Sequence, residues 1–287
     1  MIFLILCILC STSLLLFFKL FEKYQVNFLQ GIVFNYLTCV IIGAFFTDFS
    51  TLHFSFDTPW FLYAIILGSF FIGIFFLSSL TTKYLGVSVG TISMKLGVIF
   101  PIIIGLWIYR EAYTFYTITG FVLALFAVVF STVKFQKIQE HPTNVYWLPF
   151  IVWIGSGFCD STVQYVSQTY FNQKDGFEAF VWMVFLCAFI IGSIAMLFMR
   201  IKIQFKNILG GILLGIPNYG SMYFLFKAID SLKLNYNMAS SAIFTLNNIS
   251  VVLLSSVAAI LFFKEKLNTM NWFGLVLAVL AIWCISM

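Results

Sequence analysis

Ten stretches of this chain are apolar and long enough to cross a bilayer, and only short polar links separate them. They cover roughly residues 2–20, 28–46, 59–80, 87–109, 115–133, 147–168, 178–199, 208–230, 238–263 and 269–286. About 20 residues at ~1.5 Å each span the ~30 Å hydrocarbon layer. Inside that layer every backbone N–H and C=O must be paired within the protein, which leaves helices or a closed barrel. Barrel strands alternate apolar and polar residues in pieces of about ten. These runs do not alternate, so the expectation is an all-α integral membrane protein with ten transmembrane helices. Charged residues make up 9% of the chain, against about 25% in soluble domains. The formal charge of +5 then belongs to lysines and arginines at lipid headgroups, and nucleic acid is not an expected partner. The first span has neither a basic n-region nor a small-residue cleavage site, so it reads as a retained helix.

The end of the chain repeats its middle. Glu111, Gly120, Val122, Leu123, Ala124 and Ala127 recur as Glu265, Gly274, Val276, Leu277, Ala278 and Ala281, each shifted by 154 residues. In both copies a basic residue, Arg110 or Lys264, precedes the Glu. Two halves of one design follow, residues 1–134 and 146–287, with five spans each. An odd number of crossings turns the second copy over in the membrane, so the repeats are read as inverted.

The order of these residues resembles a known family. A long helix with Pro101 in it, then Glu111, then Gly120 opening a Val-Leu-Ala helix, is similar to the first half of EamA-type transporters of the drug/metabolite transporter superfamily. Lys264–Ala281 resembles the second half, and Phe17-Phe18-Lys19 the family's opening. Ser255 stands where the first copy has Pro101, a departure from the pattern. The resemblance implies ten helices around a central cavity lined by the first four helices of each half. It also implies transport of small metabolites, commonly amino acids and often outward.

Chemistry is expected where polar groups interrupt apolar helices. Lys95 in the fourth span and Asp160 in the sixth are read as the two deep charges, and a lone charge at that depth costs ~2.5–3.5 kcal/mol on insertion scales. They are expected to face a wet cavity, Lys95 toward a substrate carboxylate and Asp160 toward an amine or a proton. The competing reading is a structural ion pair. Ser156, Asp160, Gln164 and Ser167 fall on one helical face, which reads as cavity lining or as hydrogen-bonded glue between helices. Asn35 in the second span and Asn218 and Tyr219 in the eighth are further candidates, the last two beside Pro217, which should loosen its helix after Gly211 and Gly215. Asn247 and Asn248 are adjacent and point apart, so at most one lines the site. Asn248 is the one included. Trp153 and Trp182 could wall a cavity. Glu111, Glu265, Pro101, Gly120 and Gly274 are assigned structural or gating roles, with the acids capping or pairing locally at helix ends.

Other chemistries find little support. Both histidines, His53 and His141, lie in links, and Cys7-x-x-Cys10 sits in an apolar helix without a second ligand pair. No cofactor, metal or catalytic residue is expected. The expected function is a secondary active transporter in the cytoplasmic (inner) membrane. It would move a small polar metabolite by alternating access, as an exporter, with a proton or another ion as the driving partner. A homodimer is compatible with the same surfaces. The main rival is an exporter of lipophilic cations, which Asp160 would attract and Lys95 repel. A channel or a membrane enzyme ranks behind both.

Overall fold

The structure is a computed structural model that describes residues 1–48, 58–85, 87–132, 145–171, 176–264 and 267–287. Glu265, His53 and His141 lie outside the described residues. Eleven α-helices follow one another: α1 Ile2–Lys23, α2 Phe28–Phe46, α3 Phe61–Leu85, α4 Val87–Lys95, α5 Ile99–Trp107, α6 Phe115–Thr132, α7 Leu148–Tyr170, α8 Phe177–Phe198, α9 Phe205–Tyr236, α10 Ser240–Phe263 and α11 Thr269–Ser286. No strand occurs among the described residues. Nine helical stretches among them are long and apolar enough to cross a membrane. The 23-residue α7 is also long enough, but the polar residues on its stripe lower its hydropathy. Large apolar side chains such as Phe45, Trp107 and Phe198 point outward, as they do where hydrocarbon is the solvent.

The α-winding of the fourth span is interrupted midway, while its backbone stays helical throughout. A 3-10 turn, Leu96–Val98, separates α4 from α5. Pro101 is the third residue of α5, where a helix needs no N–H from it. In an unbroken helix that missing N–H would leave the Gly97 carbonyl four residues back without its donor. The break sits where proline does the least harm.

Two compact units divide the chain: Met1–Phe76 with Thr162–Asp230, and Leu77–Ser161 with Ser231–Met287. Both units draw on residues 1–134 and on 146–287, the second taking residues 146–161 as well as 231–287 from the latter.

In the first unit α2 packs along α8. A Cβ on Gly211 of α9 would lie 2.5 Å from the Phe34 Cβ, and one on Gly215 would lie 2.5 Å from the Thr38 Cβ. Two glycines four apart therefore bring the backbones of α9 and α2 into contact. Contrary to the expectation from Pro217, α9 is one continuous helix of 32 residues. The glycines serve close packing there and do not open the helix. At the start of α2, Gln30 donates to the Lys202 carbonyl at 2.6 Å and accepts from Asn207, while the Asn207 carboxamide oxygen accepts from the Asn27 N–H at 3.0 Å. This buried network ties the entry of α2 to the entry of α9.

In the second unit α6 lies along α11, and α10 packs on α5, α6 and α11. The centre is built of small and branched residues, Ala124, Ala127, Val128, Ile249, Val252, Ala278 and Ala281. A Cβ on Gly120 would strike Ile285, and one on Gly274 would strike the Ser131 backbone. Residues 120 and 274, and 131 and 285, are 154 apart. The two close contacts thus exchange under the repeat, and α6 and α11 run antiparallel. Their bounds, Phe115–Thr132 and Thr269–Ser286, also differ by 154 at both ends. Arg110 and Lys264 share a left-handed backbone, with φ of 48° and 53°. Asn271 adds a lock, donating its carboxamide to the Phe130 and Ser131 carbonyls at the end of α6.

Candidate functional site

The helix break in the second unit assembles the polar groups. Lys95 is the last residue of α4, where the 3-10 turn begins. Its ammonium donates to the Asn248 Oδ1 at 3.1 Å. Asn248 is a buried residue of α10. Asp160 of α7 lies within electrostatic reach of both Asn248 and Lys95. The carboxamide is polar in the required sense, since its oxygen accepts from the ammonium and its NH2 can donate to the carboxylate. Three helices thus contribute a cation, an anion and a neutral bridge. Of the adjacent pair Asn247 and Asn248, the second meets Lys95, although both are buried.

The backbone opened by the break is satisfied from α7. Ser156 Oγ donates to the Met94 carbonyl at 3.0 Å, and Trp153 Nε1 donates to the Leu96 carbonyl at 3.2 Å. Unpaired carbonyls at this depth would cost several kcal/mol each, so both side chains have a backbone task beside any contact with a ligand. The approach is close: a Cβ on Gly97 would lie 2.5 Å from Ser156 Oγ and 2.7 Å from the Gly157 nitrogen. Position 97 requires a glycine because any side chain would push α7 off the turn.

The remaining candidates fall in the first unit. Asn218 Nδ2 donates to Asn35 Oδ1 at 3.0 Å, one turn beyond the glycine contacts that bring α9 against α2. Tyr219 stacks on Phe46 with centroids 5.8 Å apart, and its buried hydroxyl has no partner among the described residues. Gln164 is fully buried with neither carboxamide atom partnered among the described residues. Ser167, also on the α7 stripe, is buried. Trp182 bonds the Val40 carbonyl at 3.1 Å.

Glu111 acts on a helix far away in sequence. Its carboxylate accepts from the Ser240 N–H at 3.0 Å, from the Ser241 hydroxyl and from the Tyr113 hydroxyl at 2.8 Å. It thereby caps the start of α10, whereas the expectation was local pairing or a cap on the next helix. Burial, then the charge of Glu111, raises the Tyr113 phenol pKa, so Tyr113 keeps the proton that it donates.

One charged pair escaped the sequence reading. Lys227 lies within α9 and pairs with Glu178 in the first turn of α8 at 3.5 Å. The signal was present: position 227 falls inside the eighth apolar run, where a charge demands a partner.

The fold defines an all-helical protein built from apolar segments of membrane length, the make-up of a multi-pass membrane protein. No family model matches the chain. It is similar to an uncharacterized protein of Haemophilus influenzae, 28% identical over 291 residues that cover 98% of this chain and 96% of the relative. It also shares its fold with a solved crystal structure at a TM-score of 0.78 and 11% identity, over 99% of this chain and 94% of that one.

Proposed function

We propose that the protein is a secondary active transporter of the EamA type that carries a small zwitterionic metabolite, of the amino-acid kind, by alternating access between two inverted repeats. The observation that carries this reading is the Lys95–Asn248–Asp160 cluster at a 3-10 turn inside the fourth span. A 3-10 stretch in the middle of a helix often marks a functional hinge. Asn248 holds two opposite charges apart, and a zwitterion can take its place, giving a carboxylate to Lys95 and an ammonium to Asp160. A lipophilic cation would meet Lys95 as a like charge, which argues against the rival reading.

The repeat supports the transporter architecture. Reciprocal contacts between α6 and α11 and the paired left-handed backbones of Arg110 and Lys264 have the form expected of halves related by a twofold axis. The boundaries Phe76/Leu77 and Asp230/Ser231 between compact units are also 154 residues apart, since 230 − 76 = 154. The proposed direction is export across the cytoplasmic membrane, driven by a proton or another ion.

The test is a thermal-unfolding screen of purified protein against amino acids, sugars, nucleotides and quaternary cations, followed by uptake into liposomes. A ligand at ~100-fold its dissociation constant stabilises the fold by ~2.7 kcal/mol. A zwitterion should stabilise the wild type and lose that effect in Lys95→Met and Asp160→Asn. Normal transport by both folded variants overturns the assignment of the site. Stabilisation confined to lipophilic cations transfers it to the rival.

A further inference from the structure

The first unit holds a second charged site, independent of the Lys95 cluster. Glu178 stands in the first turn of α8, and the Lys227 ammonium on α9 reaches it at 3.5 Å. The same ammonium lies 4.9 Å from the centroid of the Phe177 ring and 5.8 Å from that of Tyr223. Tyr223 stacks on Tyr219 with centroids 6.0 Å apart and lies 5.3 Å from Phe46. The buried Tyr219 hydroxyl has no partner among the described residues.

A carboxylate flanked by two aromatic faces is a recognition site for an organic ammonium, because each ring face carries negative potential and the acid supplies the counter-charge. Here the cation comes from the chain itself. The Lys227 and Glu178 side chains keep 32% and 18% of their surface exposed, so an incoming amine can reach the pair.

We propose that Glu178, Phe177 and Tyr223 form a binding box for a small organic ammonium, and that Lys227 occupies it as a tethered ligand which such an ammonium displaces. This goes beyond the transport reading and stands whether or not the Lys95 cluster binds substrate.

Removing Lys227 should empty the box and expose it to a free amine. The full chain in detergent, as wild type, Lys227→Met and Lys227→Met with Glu178→Gln, is unfolded thermally over a titration of methylammonium chloride against sodium chloride at equal ionic strength. Lys227→Met is expected to melt below wild type, because it leaves the Glu178 carboxylate without its partner. Methylammonium should restore the melting temperature saturably, at least about tenfold more tightly than it acts on wild type. The double variant should not respond. Rescue matched by sodium, or rescue that persists without the Glu178 charge, overturns the proposal. If Lys227→Met does not yield folded protein, Lys227→Gln is titrated in the same way, and the lack of an amine effect there overturns it equally. Nanodiscs separate a free amine from a lipid headgroup. If phosphatidylethanolamine stabilises Lys227→Met without added amine and phosphatidylglycerol does not, the box holds and its ligand is the lipid ammonium.

Discussion

The Lys95 ammonium and the Asn248 carboxamide, 153 residues apart in the chain, meet at 3.1 Å beside the break between α4 and α5. The bond joins α4 to the interior of α10, and Asp160 of α7 lies within electrostatic reach of both groups. A neutral group bridging two charges gives each a hydrogen-bonding partner, while each charge still bears its own desolvation cost. It also leaves both charges available for exchange.

Asn248→Leu should therefore lower stability by about 1.5–3 kcal/mol, the range for a hydrogen bond to a charged group. Lys95→Met should cost a similar amount. The double variant should lose less than the sum, because the Lys95–Asn248 bond is counted in both single losses, although Asp160 then loses both neighbours. Thermal unfolding of the four proteins in one detergent measures the coupling, and strict additivity would show that the bond contributes nothing.

The α7 donors are expected to hold the broken span together. Trp153→Phe keeps the ring and removes the N–H to the Leu96 carbonyl, while Ser156→Ala frees the Met94 carbonyl. Each should cost about 1–3 kcal/mol through an unsatisfied buried acceptor. Melting temperatures equal to wild type in both variants would mean that the turn finds other donors.

Packing at α2 and α9 offers a steric test. Gly211→Leu or Gly215→Leu should force the helices apart and break the Asn35–Asn218 bond, at an overpacking cost of about 1–3 kcal/mol or more. Ile216 is on the same helix but 56% exposed, so Ile216→Leu should leave the protein unchanged. Yield and monodispersity on size exclusion distinguish the two. Equal behaviour of the glycine variants and the control would contradict the close approach.

Removal of the Glu111 cap should loosen α10. Glu111→Ala strands the Ser240 N–H and leaves the Tyr113 and Ser241 hydroxyls only each other as partner, with an expected loss of about 2 kcal/mol. Glu111→Gln keeps one acceptor oxygen and should recover part of that loss. Hydrogen exchange at the first turn of α10 reports on the same change, and protection unaltered in Glu111→Ala would rule out the cap.

Most of the helical layout was legible in the chain, because membrane helices advertise themselves through uninterrupted apolar length. The break in the fourth span was not, since Leu96-Gly97-Val98 is as apolar as its flanks and only Pro101 hints at it. The candidate site was legible in part. Lys95, Asp160 and Asn248 were singled out one by one, and the structure brings them together, but nothing in the spacing says that they touch. Gln30 and Asn207 went unnoticed because single polar residues near span ends look like ordinary boundary residues. Their mutual bond exists only where α2 and α9 begin side by side.

By itself the sequence determined the helical class, the span lengths and the 154-residue repeat, all of which follow from local hydrophobicity and residue order. Tertiary structure alone decided which asparagine faces Lys95, that Glu111 caps α10, and that Lys227 reaches Glu178 over two rings. The physical reason is that hydrocarbon drives every apolar helix into the membrane alike and does not distinguish one helix partner from another. Close backbone approach at glycines and the satisfaction of scarce polar groups choose the partners, and both depend on residues that meet only after packing.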